Sequence, residues 1–513
     1  MGPDTTQAAA QAQAEPKKFD RRRGVVIVAV LVIVAALSLA GYHFTDMMTS
    51  EDKAATYAHR NVQARLFADS GIHYTAAILS DPTGIPTKLG GNPWNNPDMF
   101  KDQVILLGGP DSKVKGFFSI IGPATGDANV SYGVSDEGSK INLNAIMKQE
   151  PTGQVLHDML VKLPGMTEEV ANNIVAWMGG QVGIQNGGMV DYSGAKPPYR
   201  CRFGPIDSID ELLLVQGVTP DLLYGTDKVN RNGIDDDGDK GGSAFNRGWS
   251  TFLTVHSREQ NCAPDGSPYI YLNNTNLKEL YDQLVPEVGD EMAKFIVMCR
   301  KKNWKTGVPD PTKLDSLTNY TVDTTANVGG TDYKFKTLFD LVGTYVSIPK
   351  AEGKKTITKH YMSPLSDVKT AGEILTKLFA KATLKEEPEI PARININTAP
   401  KEVLSTLVEI TNLTDNDIEK IVSVRAGLTP EALRNPTWLL TEATIEIAKL
   451  RGAPGAELAK YLTTVTQVYR VQSVGYFEDK GPFYRIEAVI DTNAGRPRIL
   501  AWRDLSELGK GLP

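Results

Sequence analysis

Cysteine and histidine are scarce in this chain, three and six among 513 residues. Three cysteines, Cys201, Cys262 and Cys299, are too few for a disulfide framework, and none stands in a CxxC spacing. Either one bridge forms and leaves a thiol over, with Cys201–Cys262 the first pair to test, or all three stay unpaired. The histidines, at 43, 59, 73, 157, 256 and 360, make no HExxH motif and no pair at metal-ligand spacing. There is no GxSxG elbow and no P-loop; "LLGGPDSK" at 106–113 has glycines but not the GxxxxGK[ST] order. The 61 acidic residues supply carboxylate pairs, as any such number would, but nothing singles one pair out as an acid and base. A basic stripe is lacking as well. The net charge is −6, which argues against nucleic acid as a partner, because duplex binding needs clustered cations. What remains is a structural or interaction protein, long enough for two to four domains.

Charge is missing altogether from Val25 to Thr45, a run of about 21 residues. At about 1.5 Å per residue a helix of that length just crosses a hydrocarbon core of about 30 Å. Lys17, Lys18, Arg21, Arg22 and Arg23 precede it and hold the N-terminus on the cytoplasmic side. The bulk of the chain is then periplasmic, behind a single pass of the inner membrane. Residues 1–16, rich in Ala and Gln, read as a disordered leader. Three fates compete for the oily run. A signal peptidase could cut behind Ser38-Leu39-Ala40 and start the mature chain at Gly41. The run could stay as an uncut anchor. Or a peptidase on the cytoplasmic face could cut after Gly24, freeing Val25 and keeping the helix. The following residues, 51–79, contain no proline, one glycine and seven alanines, a composition that favours helix. Val62, Leu66, Phe67, Tyr74 and Ile78 recur at helical spacing, and Asp81-Pro82 ends the run. A helix from Val25 to about Leu79 would be on the order of 80 Å long. A removable signal has no reason to continue into such a helix.

Short apolar runs bounded by Gly, Pro and Asp read as strands at 104–109 and 116–121. Three more, at 468–477, 483–491 and 498–504, read as antiparallel strands near the C-terminus, with "FEDKGP" as one turn. Between these ends the chain is helix-rich and carries a loose internal repeat starting at 141, 270 and 394. Each repeat has an extended piece with an Asn, a Leu-bearing helix, a turn and a second helix. Asn144, Asn273 and Asn397 are placed to cap the following helix. The pattern is similar to helix-hairpin-helix DNA-binding modules. However, "PGMTEE", "VPEVGDE" and "TNLTDND" lack paired glycines and carry acids where phosphates would sit. At 203–225, "FGPIDSIDELLLVQGVTPDLLYG" predicts a helix started by Ser208 or Asp210 and stopped near Gly217, then a short helix after Pro220. Directly after it, Asp227, Asn230, Asn232, Asp235, Asp236, Asp237 and Asp239 crowd oxygens into an acidic loop, 226–242, with Gly233 and Gly238 for tight turns. That donor set suits calcium, though the spacing is not an EF-hand. A solvated acidic insertion has the same composition.

The basic leader ending in Gly24, the oily helix with its amphipathic continuation, and "QARLFADSGI" at 63–72 resemble the type IV pilin-like superfamily. In particular the chain is similar to the K-type minor pseudopilins of type II secretion, and 203–225 resembles them too. Most pilin-like proteins carry Glu at the fifth mature position; here Ala29 stands there, as in the K-type subunits. A carboxylate in lipid is costly unless a partner terminus pairs with it, so its loss suits a subunit with nothing stacked above it. The resemblance implies an α+β fold: a long N-terminal pilin-type helix, a small antiparallel sheet and a large inserted α-helical domain. The expected divisions are a leader over 1–24, the helix over 25–80, a first β region over 81–140, the insertion over 141–464 and closing strands over 465–513. It implies a cap at the pseudopilus tip that helps initiate assembly. It further implies cleavage between Gly24 and Val25 by the prepilin peptidase, and partnership with I-type and J-type minor pseudopilins, the major pseudopilin and the secretin channel. It implies bound Ca2+ as well, for which Asp227, Asn230, Asn232, Asp235, Asp237 and Asp239 are the candidate ligands, the last three foremost. An uncleaved inner-membrane scaffold and a type IV pilus minor pilin are the alternatives.

Overall fold

The structure is a computed structural model. It describes residues 21–81, 84–106, 115–123, 131–233, 247–263, 266–302, 304–322, 333–352, 355–366, 368–478, 481–493 and 496–512. The chain divides into two compact units, one ending at Gln63 and the other starting at Ala64. Helix α1, Arg21–Ser80, supplies residues to both.

In the first unit the apolar side chains of α1 are exposed among the described residues. Val25, Leu31, Leu37 and Phe44 are each at least 61% exposed. A helix that is apolar all round and unburied needs lipid or other helices as its solvent. This one is long and apolar enough to cross a membrane.

The second unit begins where α1 becomes one-sided. Ala64, Phe67, Ala68, Ile72, Ala76 and Leu79 are buried at helical spacing. Val62 and Leu66, expected in that stripe, are instead exposed. Where this face comes closest to the sheet its residues are small. A Cβ on Gly71 would meet the Ser473 hydroxyl at 2.2 Å, and one on Gly475 would meet the Ala64 carbonyl oxygen at 2.2 Å. The sheet strands are β1 (Gln103–Leu106), β2 (Lys115–Ile121), β3 (Ser135–Asp136), β4 (Val468–Phe477), β5 (Tyr484–Asp491) and β6 (Arg498–Asp504). They are ordered β1-β2-β4-β5-β6, with β3 also on β4, and all pair antiparallel. Strands from both ends of the chain thus share one sheet. Ile120, Val471, Ile486, Ala488 and Ile490 form its core with Ile72 of α1.

Between β3 and β4 lie three repeats around one continuous apolar core. Each opens on a dipeptide strand that pairs in parallel with another that closes it: Ile141-Asn142 with Leu253-Thr254, Ile270-Tyr271 with Ala382-Thr383, and Ile394-Asn395 with Leu462-Thr463. Helices α2 (Leu143–Gln149), α3 (Gln154–Leu160) and α4 (Glu168–Trp177) fill the first repeat. α5 (Leu277–Val288), α6 (Asp290–Lys301) and α7 (Val368–Lys381) fill the second, and α8 (Lys401–Ser405) and α9 (Asp415–Arg425) belong to the third.

The asparagines expected to cap these helices do something else. The caps are Asn142, which accepts from the Ala145 amide at 3.0 Å, and Asn276, which accepts from Glu279 at 3.1 Å; Thr414 caps α9. Asn144 instead exchanges two hydrogen bonds with the backbone of Ile206, at 2.8 and 2.9 Å. Asn273 does the same with Phe335, at 3.1 and 2.9 Å. Asn397 donates to the Leu433 carbonyl at 2.7 Å. Each amide ties the start of its repeat to a segment far along the chain. Asn273→Ala should therefore lower stability by about 1–3 kcal/mol, since it leaves a buried backbone amide and carbonyl unpaired. Chemical denaturation measures this, and Asn274→Ala on the same turn serves as the comparison.

Candidate functional site

The place where the helical insertion joins the sheet is charged and buried. Glu137, just after β3, has no exposed surface. Its carboxylate accepts from Arg470 Nε at 2.7 Å, from Arg470 Nη2 at 3.2 Å and from Lys140 Nζ at 3.0 Å, and it also holds the Thr254 hydroxyl. Arg470, on β4, reaches Glu487 on β5 at 2.7 Å. The two carboxylates and two cations balance. Burial by itself would raise the Glu137 pKa, but Arg470 and Lys140 outweigh it and hold the group well below the usual carboxylate range.

Next to it, Asp136 is buried with no cation bonded to it among the described residues. It accepts from the Gly138 amide at 2.7 Å, Asn395 Nδ2 at 2.9 Å and Thr466 Oγ1 at 2.8 Å, and from the Thr398 hydroxyl. Burial pushes its pKa from 3.8 up to about 6, with those hydrogen bonds pulling the other way. Glu137 and Lys140 lie at the opening of the first repeat and Thr254 at its close, while Asn395 opens the third. Two adjacent acids therefore knot the sheet to the insertion.

The acidic loop is rooted in the same sheet. Arg485, on β5 and fully buried, donates to the carbonyls of Asn230 and Arg231 at 2.7 and 2.8 Å and to Gln472 Oε1 at 2.7 Å. Burial lowers its pKa to about 10. Gln472 Nε2 links this group back to Glu487 at 3.0 Å. The Asp227 carboxylate accepts from the Asn232 and Gly233 amides at 3.0 and 2.8 Å, and Asn232 Nδ2 donates to the Gly511 carbonyl at 3.3 Å. The structure thus brings Asp227, Asn230 and Asn232 together in one tight turn. Asp235, Asp237 and Asp239 lie outside the described residues. Among the described residues no cluster of three or more His, Cys, Asp or Glu could hold a metal.

Of the other expected positions, Gly24 and Val25 lie in α1, with Val25 69% exposed. The Cys201–Cys262 bridge is not formed. The Cys201 thiol is buried 3.7 Å from the carbonyl oxygens of Ala176 and Trp177, where α4 ends, and Cys262 sits in a β-bridge with Pro268. At 203–225 Ser208 caps a 3-10 helix, Ile209–Leu214, and Thr219 caps Pro220–Tyr224. Asp210 in that segment pairs with Arg503 of β6. Sequence reasoning missed Asp136, Glu137, Arg470 and Arg485. For Arg485 the one available signal was a charged residue inside a strand that otherwise reads as core.

Two outcomes follow from the junction. Arg470→Ala leaves the buried Glu137 with Lys140 alone and takes away the cation on Glu487, and should cost about 3–5 kcal/mol in chemical denaturation at neutral pH. Asp136 binds its proton more tightly folded than unfolded, so its contribution to stability is full below about pH 4 and is lost as pH rises through about 6. The stability of the native protein relative to Asp136→Asn should accordingly fall across that window. A difference that stays flat from pH 4 to 7 would contradict the assignment.

Residues 139–225 match the family model described as type II secretion system (T2SS), protein K. No curated protein matches the chain's sequence. Among solved structures, a chain of the GspK-GspI-GspJ complex from the enterotoxigenic Escherichia coli Type 2 Secretion System aligns over 88% of this chain and 99% of its own. Identity there is 10% and the TM-score 0.37, a likeness too loose to argue from. The family match covers the first repeat up to Gly225, including the 203–225 stretch whose residues resemble the K-type subunits, and in that region the chain is similar to protein K of type II secretion.

Proposed function

We propose that this protein caps the tip of the pseudopilus and helps to start its assembly. The observation that carries the reading is the protein K match over 139–225 in a chain whose α1 exposes an apolar surface on every side from Val25 to Phe44. Such a surface is stable in the inner membrane and, once extracted, only among other apolar helices. In this reading the prepilin peptidase cuts after Gly24, and the helix from Val25 packs with those of I-type and J-type minor pseudopilins and of the major pseudopilin. The leader stays cytoplasmic, the second unit is periplasmic, and the tip faces the secretin channel. Ala29 brings no carboxylate that needs a partner above it. The insertion between β3 and β4 adds bulk at the end of the filament, so the role is one of shape and contact, not catalysis.

Calcium belongs to the same proposal. The turn at Asp227, Asn230 and Asn232 offers side-chain oxygens of the hard type that calcium takes, and Arg485 clamps the backbone beneath it. Asp227 would hold the ion from the loop's root, with Asp235, Asp237 and Asp239 completing the set. A bound ion would tie the 226–242 loop down and neutralise its crowded carboxylates.

Mass spectrometry of the native protein should find a mature N-terminus at Val25, and affinity capture should recover I-type and J-type partners. A chain starting at Met1 would favour the uncut scaffold, and one starting at Gly41 would end the filament reading. Adding EGTA should lower the unfolding temperature by a few degrees, as loss of a ligand specific to the native state does. Asp227→Asn should blunt that shift.

A further inference from the structure

The second unit contains a cavity of about 430 Å3 between the second and third repeats. That size falls within the range of about 300–1,000 Å3 typical of small-molecule sites. Its walls are chiefly aliphatic and aromatic. The second repeat contributes Leu338, Phe339 and Phe379, and the third contributes Leu439, Leu450 and Leu458. The Phe339 and Phe379 rings contact each other at 5.2 Å between centroids.

Polar groups on the inner wall are already engaged. Arg393 donates to Glu259 at 2.8 Å and to the Ala459 carbonyl at 3.2 Å. Asn261 Nδ2 donates to the carbonyls of Lys385 and Glu387 at 2.9 Å each, and its Oδ1 accepts from Thr383 at 2.9 Å. Gln467 Oε1 accepts from the Gln260 amide at 2.8 Å. A peptide entering this space would bring amides and carbonyls that need partners, and a buried unpaired amide is costly. An alkyl chain needs none. The exposed lining residues carry a different signal. Lys336, Lys385 and Arg434 are exposed and make no ion pair among the described residues, against a single exposed carboxylate at Glu431. An apolar cavity ringed mainly by cations is complementary to an apolar tail with an anionic head.

We propose that this cavity binds a single-chain fatty acid, its alkyl chain among the leucines and phenylalanines and its carboxylate beside Lys336, Lys385 and Arg434. This goes beyond the filament role and does not depend on it. The cavity lies between two repeats, so an occupant would bridge them.

The full chain, held in phosphatidylcholine nanodiscs, tests this with a dodecanoate bearing a mid-chain diazirine. After photolysis, mass spectrometry should map adducts to 336–339, 376–384 or 455–462. Unlabelled dodecanoate should suppress them, while dodecyltrimethylammonium, with the same tail and opposite charge, should compete about tenfold less well. Ala380→Trp, which fills the cavity, should abolish those adducts. The exposed-surface variant Lys385→Glu with Arg434→Glu, which leaves the core alone, should weaken competition by dodecanoate severalfold. Adducts confined to 25–45, or adducts in the cavity that the cationic analogue displaces as well as dodecanoate does, would overturn the assignment.

Discussion

The pairing of Glu137 with Arg470 is the contact on which the second unit turns. Glu137 sits at the point where the chain leaves the sheet, and Arg470 lies on the strand that brings it back. Some 330 residues of helices and loops are spooled out between them. A buried carboxylate is costly without cations beside it, and of the two that hold Glu137 ionised Arg470, brought by the returning strand, contributes more than Lys140. Lys140 and Glu487 complete the charge balance, and the Thr254 hydroxyl on the same carboxylate brings in the close of the first repeat. Asp136, one residue earlier, does the matching work for the third repeat through Asn395 and Thr398.

The repeats add a second kind of constraint. Their opening and closing strands are only two residues long, too short to hold by ladder bonds alone. Asn144 and Asn273 reinforce them by acting as extra pieces of backbone, each amide giving and taking one bond with a distant peptide unit. Placed there, an asparagine does more than cap a helix: it sets how far apart two segments lie. The continuous apolar core behind these ties explains how three helical units behave as one body.

Function then divides between the two units. The first presents lipid-soluble surface and little else. The second carries the residues matched by the protein K family, the cavity between repeats and the root of the acidic loop, which Arg485 fixes to the sheet from below. Because Gln472 touches Glu487 and Arg485 alike, the loop root and the junction share one polar chain.

Some of this was legible from residues alone. The uncharged run from Val25, the helix ending at Ser80, the closing strands over 468–504, the start points of the three repeats and the cap at Ser208 all follow from local chemistry: periodicity, capping preference and turn residues act within a few positions of one another. Whatever depended on partners distant in sequence was not legible. Val62 and Leu66 have the right spacing for a buried stripe, yet the sheet meets the face of Ala64, Ala68, Gly71 and Ile72 instead. Asn144 and Asn273 look like caps until Ile206 and Phe335 arrive. Cys201 and Cys262 suit a bridge only if the fold brings them together, and it places Cys201 against the carbonyls that end α4. Arg470 and Arg485 read as ordinary strand charges, and only the folded sheet, by excluding water around them, turned each into a fastening.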